Sequence, residues 1–127
     1  MKATETKLKG CFVLEPTVFE DSRGYFFESY NENKMEEILG YKPTFVQDNQ
    51  SNSTYGVVLG LHIQAGEHSQ AKLVRVVEGA VIDVAVDVRE GSETYGQSVA
   101  VELSADNKKQ LFIPRGFLHG FSVISDS

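Results

Sequence analysis

The sequence predicts an all-β domain, a sandwich or jelly roll carrying one short helix. Three observations lead there. Short runs rich in aromatic and β-branched residues recur along the chain, turns rich in Gly, Asn and Ser separate them, and helical periodicity is confined to one stretch. At 127 residues the chain has the length of a single domain, which buries roughly two thirds of its unfolded surface on folding. No internal repeat, low-complexity tract or Pro/Ser-rich linker divides it.

The first runs are Cys11-Phe12-Val13-Leu14 and Gly24-Tyr25-Phe26-Phe27-Glu28-Ser29-Tyr30, separated by the turn-rich Glu20-Asp21-Ser22-Arg23. The helix follows: Asn31 suits its N-cap, Met35, Ile38 and Leu39 share an apolar stripe, and Gly40 stops it. Strands are then expected over residues 44–48, 57–64, 72–78, 81–88, 98–103, 110–113 and 118–124. Turns such as Arg89-Glu90-Gly91-Ser92 and Ser104-Ala105-Asp106-Asn107 lie between them. One helix is too few for a βαβ architecture.

Composition removes several function classes. Hydrophobic residues make up 41% and charged residues 24%, which fits neither a disordered chain nor a membrane protein. No apolar run approaches the roughly 20 residues of a spanning helix. The polar start Met1-Lys2-Ala3-Thr4-Glu5-Thr6-Lys7 does not read as a signal peptide. A single cysteine, Cys11, suits a reducing compartment, so the expected location is cytoplasmic. Net charge is −6, and Lys and Arg are scattered with no basic stripe, so nucleic acid is not an expected partner. Two or three local cations can still hold a diphosphate.

Alternation sorts strand residues onto faces. Over 81–88, Ile82, Val84, Val86 and Val88 form a wholly aliphatic face, opposite Val81, Asp83, Ala85 and Asp87. Lys72 shares a face with Val74 and Val76, His62 and Gln64 with Val58 and Gly60, and His119 with Phe117, Phe121 and Val123. A single histidine on such a face is ordinarily a satisfied core group, and a lysine there can snorkel to water. Three such residues in one small barrel are also what a pocket in its mouth requires. Residue pattern alone leaves both readings open.

Longer motifs add a resemblance. Leu14-Glu15-Pro16 with Val18-Phe19 comes first, then Asp21-Ser22-Arg23-Gly24-Tyr25-Phe26-Phe27-Glu28-Ser29-Tyr30 and Phe45-Val46-Gln47-Asp48-Asn49-Gln50-Ser51. Gly60-Leu61-His62-Ile63-Gln64, Lys72-Leu73-Val74-Arg75 and Asp83-Val84-Ala85-Val86-Asp87 continue the series. It closes with Ile113-Pro114-Arg115-Gly116-Phe117-Leu118-His119-Gly120-Phe121. Together these resemble the dTDP-4-dehydrorhamnose 3,5-epimerase family, cupin enzymes of deoxysugar synthesis, over nearly the whole chain.

The resemblance implies a cupin jelly roll, a dTDP-4-keto-6-deoxyhexose substrate, a homodimer and no cofactor or metal. By the same resemblance His62 is the base that removes the proton α to the ketone, Asp83 lies beside that base, Lys72 stabilises the enolate oxygen and His119 completes the sugar pocket. Arg23, Glu28, Gln47 and Asn49 hold the nucleotide and its diphosphate, and Phe19 packs against the base. The chemistry asks for these types independently. An enolate needs a nearby cation in a dry pocket, a histidine titrates near neutrality, and arginine and amide groups suit a diphosphate and a planar base.

Two departures stand out. The family carries an arginine for the diphosphate directly before Gly-Leu-His, where this chain has Leu59, which by alternation sides with Leu61 and Ile63. The family also continues beyond the position of Ser127 with strands that carry a tyrosine acting as general acid, so a single cupin domain over 1–127 without those strands is expected. A sugar-nucleotide binding module without full activity and a ketoisomerase are rival readings. A metal-dependent cupin is a third: His62, His68 and His119 are available with Glu67, but Gln64 stands where a second metal-binding histidine is usual.

Overall fold

The computed structural model describes residues 1–41, 58–62 and 71–125, with positions 58–62 described through their backbone. Among these, ten strands and one helix follow one another: β1 (Lys2–Glu5), β2 (Phe12–Glu15), β3 (Val18–Asp21), β4 (Gly24–Phe27), α1 (Glu32–Leu39), β5 (Val58–His62), β6 (Lys72–Arg75), β7 (Ala80–Asp87), β8 (Ser98–Ser104), β9 (Gln110–Ile113) and β10 (Phe117–Val123). The expected strand at 44–48, and with it Gln47 and Asn49, lies outside the described residues. The strands form two four-stranded sheets, ordered β1-β2-β9-β6 and β5-β10-β7-β8, and a separate ribbon of β3 and β4.

The main core lies between the two sheets. Leu111 and Ile113 of β9 meet Ala85 of β7, Leu103 of β8 and Phe117 of β10, with Leu8 and Cys11 closing one side. Each such fully buried large side chain contributes roughly 1.5–3 kcal/mol. Burial pushes the Cys11 thiol up to about 11, so it stays protonated and acts as a small apolar residue. β9 is buried at all four positions because its second face is covered too: Phe112 packs with Leu14 and Met35 of α1. The helix forms where its stripe and caps predict. The Asn31 side chain accepts from the Lys34 N–H, and Gly40 adopts φ 82 while its N–H bonds the Glu36 carbonyl.

Two strands escape the sequence pattern. β1 is exposed at every position and mostly polar, and β3 extends into the expected turn at 20–23. On β7, hydrophobicity and burial run opposite ways. Asp83, Ala85 and Asp87 are the buried positions, while the aliphatic Ile82, Val84 and Val86 are half-buried on the other face. The pairing requires this, because Ala85 sits between Val99 and His119 and Asp83 between Val101 and Phe121, with Val99 and Val101 packed on the main core.

Asp87 is accommodated by saturation. Its Oδ1 accepts from the Arg89 N–H and Nε, both at 3.0 Å, and its Oδ2 from Arg89 Nη2 and the hydroxyls of Ser92 and Thr94. Burial alone would raise this carboxyl's pKa, but those donors outweigh it and hold the group well below the usual carboxylate range. Arg89 also reaches the Lys9 carbonyl at 2.8 Å and lies 4.7 Å above the Phe117 ring. Its stem passes so close that a Cβ on Gly116 would stand 2.6 Å from Arg89 Cγ. This ion pair, its carboxylate buried and its guanidinium half-buried, ties the end of β7 to the N-terminal segment and to the turn before β10.

Candidate functional site

The inner face of the β5-β10-β7-β8 sheet gathers the chemistry. Asp83 is fully buried, and its Oδ1 lies 2.7 Å from Nε2 of His119 on the neighbouring strand. Asp83 Oδ2 has no hydrogen-bond partner among the described residues. Buried carboxylate oxygens are rarely left so, because an unpaired buried polar atom costs about 1–3 kcal/mol. Among the described residues the partner of this carboxylate is His119, a pairing the sequence did not offer.

His62 enters through the backbone. In the ladder of β5 with β10, His62 pairs with His119 and Leu59 pairs with Phe121, with a register irregularity between them. Three residues of β5 are thus matched to two of β10, so β5 carries one extra residue at Gly60-Leu61. Such a bulge resets the alternation of its strand. Positions 59 and 62 consequently share one face of the sheet by register, the face of His119, where simple alternation would separate them; Ile63 lies outside the described residues. Glycine at 60 suits a strand interior that must bulge.

Lys72 belongs to the opposing sheet. It pairs with Ile113, and the next residue on its face, Val74, pairs with Leu111 and packs on the main core. Lys72 therefore faces between the sheets, and it is half-buried there. Lys72 and the Asp83–His119 pair are directed to the space between the sheets, and the backbone of residue 62 lies beside His119.

The candidate nucleotide residues collect elsewhere. On the ribbon, Phe19 and Phe26 are cross-strand partners, and both rings are exposed, at 63% and 70%. Together with Glu28, Thr17, Met1 and Lys34 they line a surface cavity of about 280 Å³, close to the lower end of the range for ligand pockets. Glu28 is held from two sides: Lys34 Nζ is 3.0 Å from Oε1, and Asn31 Nδ2 donates to Oε2 at 3.2 Å. Hydrogen bonds from Lys34 and then Asn31 keep its carboxyl below the usual range. Arg23, at the ribbon turn, is exposed and paired with Asp21 at 2.8 Å. The sequence does not mark Phe26, Asn31 or Lys34 as site residues, offering Asn31 only as a helix cap; for Phe26 the signal is its position opposite Phe19 across a short turn. Among the described residues, no three His, Cys, Asp or Glu side chains come together as metal ligands.

Comparison with known proteins gives a consistent result. Residues 5–127 match the sequence model of a family described as dTDP-4-dehydrorhamnose 3,5-epimerase. The chain is 55% identical over 126 residues to the dTDP-4-dehydrorhamnose 3,5-epimerase of Escherichia coli (strain K12), covering 99% of this chain and 68% of that protein. A crystal structure of the enzyme of that name from Elizabethkingia anophelis NUHP1 superposes with a TM-score of 0.94 at 60% identity, over 99% of this chain and 69% of that one. A dTDP-6-deoxy-D-glucose-3,5-epimerase from Legionella pneumophila Philadelphia 1, in complex with dTDP-4-keto-L-rhamnose, superposes with a TM-score of 0.92 at 47% identity, over 98% and 66% of the two chains.

Proposed function

The chain belongs to the dTDP-4-dehydrorhamnose 3,5-epimerase family, and we propose that it epimerises dTDP-4-dehydro-6-deoxy-D-glucose at C3 and C5 to dTDP-4-dehydro-L-rhamnose. The observation that carries this reading is the buried Asp83–His119 pair, with the backbone of His62 directly across from His119 on the same sheet face. A buried carboxylate hydrogen-bonded to a histidine inside a small domain is costly to stability, and a ligand-binding role accounts for its presence.

In this reading His62 takes the proton from the carbon next to the ketone. Negative charge moves to the ketone oxygen, where Lys72 stabilises the enolate in a water-poor space. Asp83 orients His119, which holds the sugar. A proton delivered to the opposite face of the carbon, from water in this reading, collapses the enolate to the ketone and inverts the centre, and His62 releases the proton it took to solvent. Side chains thus supply the base and the cation, and chelator treatment is expected to leave turnover unchanged. Phe19, Arg23 and Glu28 on the ribbon, with Gln47 and Asn49, receive the nucleotide and diphosphate.

We further infer a cytoplasmic homodimer. The half-buried aliphatic face of β7 and the exposed rings of the ribbon are apolar surface that a second copy can cover, and Arg23 and Glu28 then serve the partner's pocket. A monomer in light scattering at micromolar concentration would refute this arrangement. The activity test is exchange of the substrate's α-protons in deuterated water, followed by NMR. The parent is expected to exchange both and His62→Ala neither, while dTDP binding persists in the variant. Exchange at the parent rate in His62→Ala would remove that histidine from the mechanism.

A further inference from the structure

We propose that Asn31 and Lys34, at the start of α1, are positioning residues for nucleotide binding and act by fixing both oxygens of Glu28. The inference rests on the reading that Glu28 receives the nucleotide, and it assigns a task to the first turn of the helix that follows the ribbon.

The geometry makes Asn31 a two-sided connector. Its Oδ1 accepts from the Lys34 backbone N–H at 3.0 Å, which caps the helix. That bond decides the orientation of the amide, so Nδ2 is left facing Glu28 Oε2 at 3.2 Å. Lys34 is fixed by the same cap, and its ammonium reaches Glu28 Oε1 at 3.0 Å. Neither oxygen of Glu28 can rotate without losing a partner. A free glutamate on a surface loses rotamer freedom when a ligand orders it; here that freedom is already spent in the folded chain.

Charge adds to geometry. Both contacts favour the ionised carboxylate, as does the α-ammonium of Met1 nearby. An ionised carboxylate can only accept, so the remaining lone pairs of Glu28 select a donor, such as a ring N–H or hydroxyl of a nucleotide. Phe19 and Phe26 line the same cavity and offer flat apolar faces to the ring itself. The helix cap thereby determines where an acceptor stands relative to the aromatic pair.

The substitution Asn31→Asp separates this role from a merely structural one. Aspartate caps a helix as well as asparagine does, so Tm should hold, but an oxygen replaces the Nδ2 donor and repels Glu28. Calorimetry with dTDP on the full chain should show Kd weakened about three- to tenfold, the range for losing a charge-assisted contact at a surface. Lys34→Met should act in the same direction, and Lys34→Arg should recover most of the affinity. The decisive arm is a double-mutant cycle with Glu28→Gln. Asn31→Asp should change Kd little in that background, because its effect passes through the Glu28 charge. An equal loss in both backgrounds, or no loss in either single variant, overturns the proposal while leaving the functional reading intact. Failure of the parent itself to bind dTDP overturns the functional reading, and the proposal with it.

Discussion

Asp83 and Asp87 stand four residues apart on the same buried face of β7, and the protein treats them in opposite ways. Asp87 has every donor it can use: a guanidinium, two hydroxyls and a backbone N–H close around it. Asp83 has one bond, to His119, and an oxygen with no partner among the described residues. Both are fully buried, so exposure does not separate them. What separates them is how far each negative charge has been answered. A saturated buried carboxylate is part of the scaffold. A half-answered one marks a position where stability has been given up, and such positions cluster where ligands bind.

The largest expected effect therefore belongs to Asp87. Asp87→Ala leaves the half-buried Arg89 without its counter-charge and removes the acceptor of the Ser92 and Thr94 hydroxyls. Hydrogen bonds to a charged group contribute about 1.5–3 kcal/mol each, so their joint loss should appear in denaturant unfolding as a large drop in midpoint. Acid sharpens the same point. The folded pKa of Asp87 lies below its ordinary value of 3.8. A group with a depressed pKa contributes stability that is present above the unfolded value and is lost as pH falls towards the folded one. Tm should thus decline below about pH 4 in the parent, and Asp87→Asn should flatten that decline. A parent whose Tm does not respond to acid would contradict the role given to this pair.

Asp83 should respond the other way. Asp83→Asn keeps the shape of a buried carboxylate that has a single hydrogen bond among the described residues, so Tm should stay level or rise. Activity should fall, by about 10–100-fold in α-proton exchange, since His119 loses the charged partner that orients it. A variant that unfolds like Asp87→Ala, or one that exchanges protons at the parent rate, would erase the distinction between the two carboxylates.

Much of this was legible in the sequence, and the failures have definite causes. Lys72, His62 and His119 stand out as candidates because a charged or polar residue on an apolar strand face breaks a period-two pattern, though that pattern fits a satisfied core group as well. The helix was legible from Asn31 and Gly40, its two caps. β1 was not, because Lys2-Ala3-Thr4-Glu5 is exposed throughout and carries no apolar period to read. β7 misleads for a subtler reason. Its aliphatic residues look like the core face, yet burial follows Asp83, Ala85 and Asp87, and only the cross-strand partners decide which side is inside. The partner of Asp83 was likewise hidden, since it depends on which strand lies beside β7. The bulge at Gly60-Leu61 could not be inferred from alternation, because a bulge is the event that breaks alternation.

The smallest expected effect tests that bulge. Relatives that this chain resembles are expected to carry arginine where it has Leu59. Without the bulge, position 59 would lie on the face away from His119, and a charge there would meet the diphosphate poorly. With it, Leu59 pairs opposite Phe121 on the same face as His62 and His119. Leu59→Arg should then tighten dTDP binding by about tenfold, a charge-assisted contact being worth about 1.5–3 kcal/mol before the cost of ordering the side chain. The diphosphate is remote from the carbon that is inverted, so the gain is spread equally over substrate and transition state: KM should fall and kcat should not move. Leu61→Arg is the matched control, because residue 61 sits within the bulge next to His62 and should give no gain. Tighter binding from position 61 and none from position 59 would mean that β5 keeps simple alternation through Gly60 and Leu61.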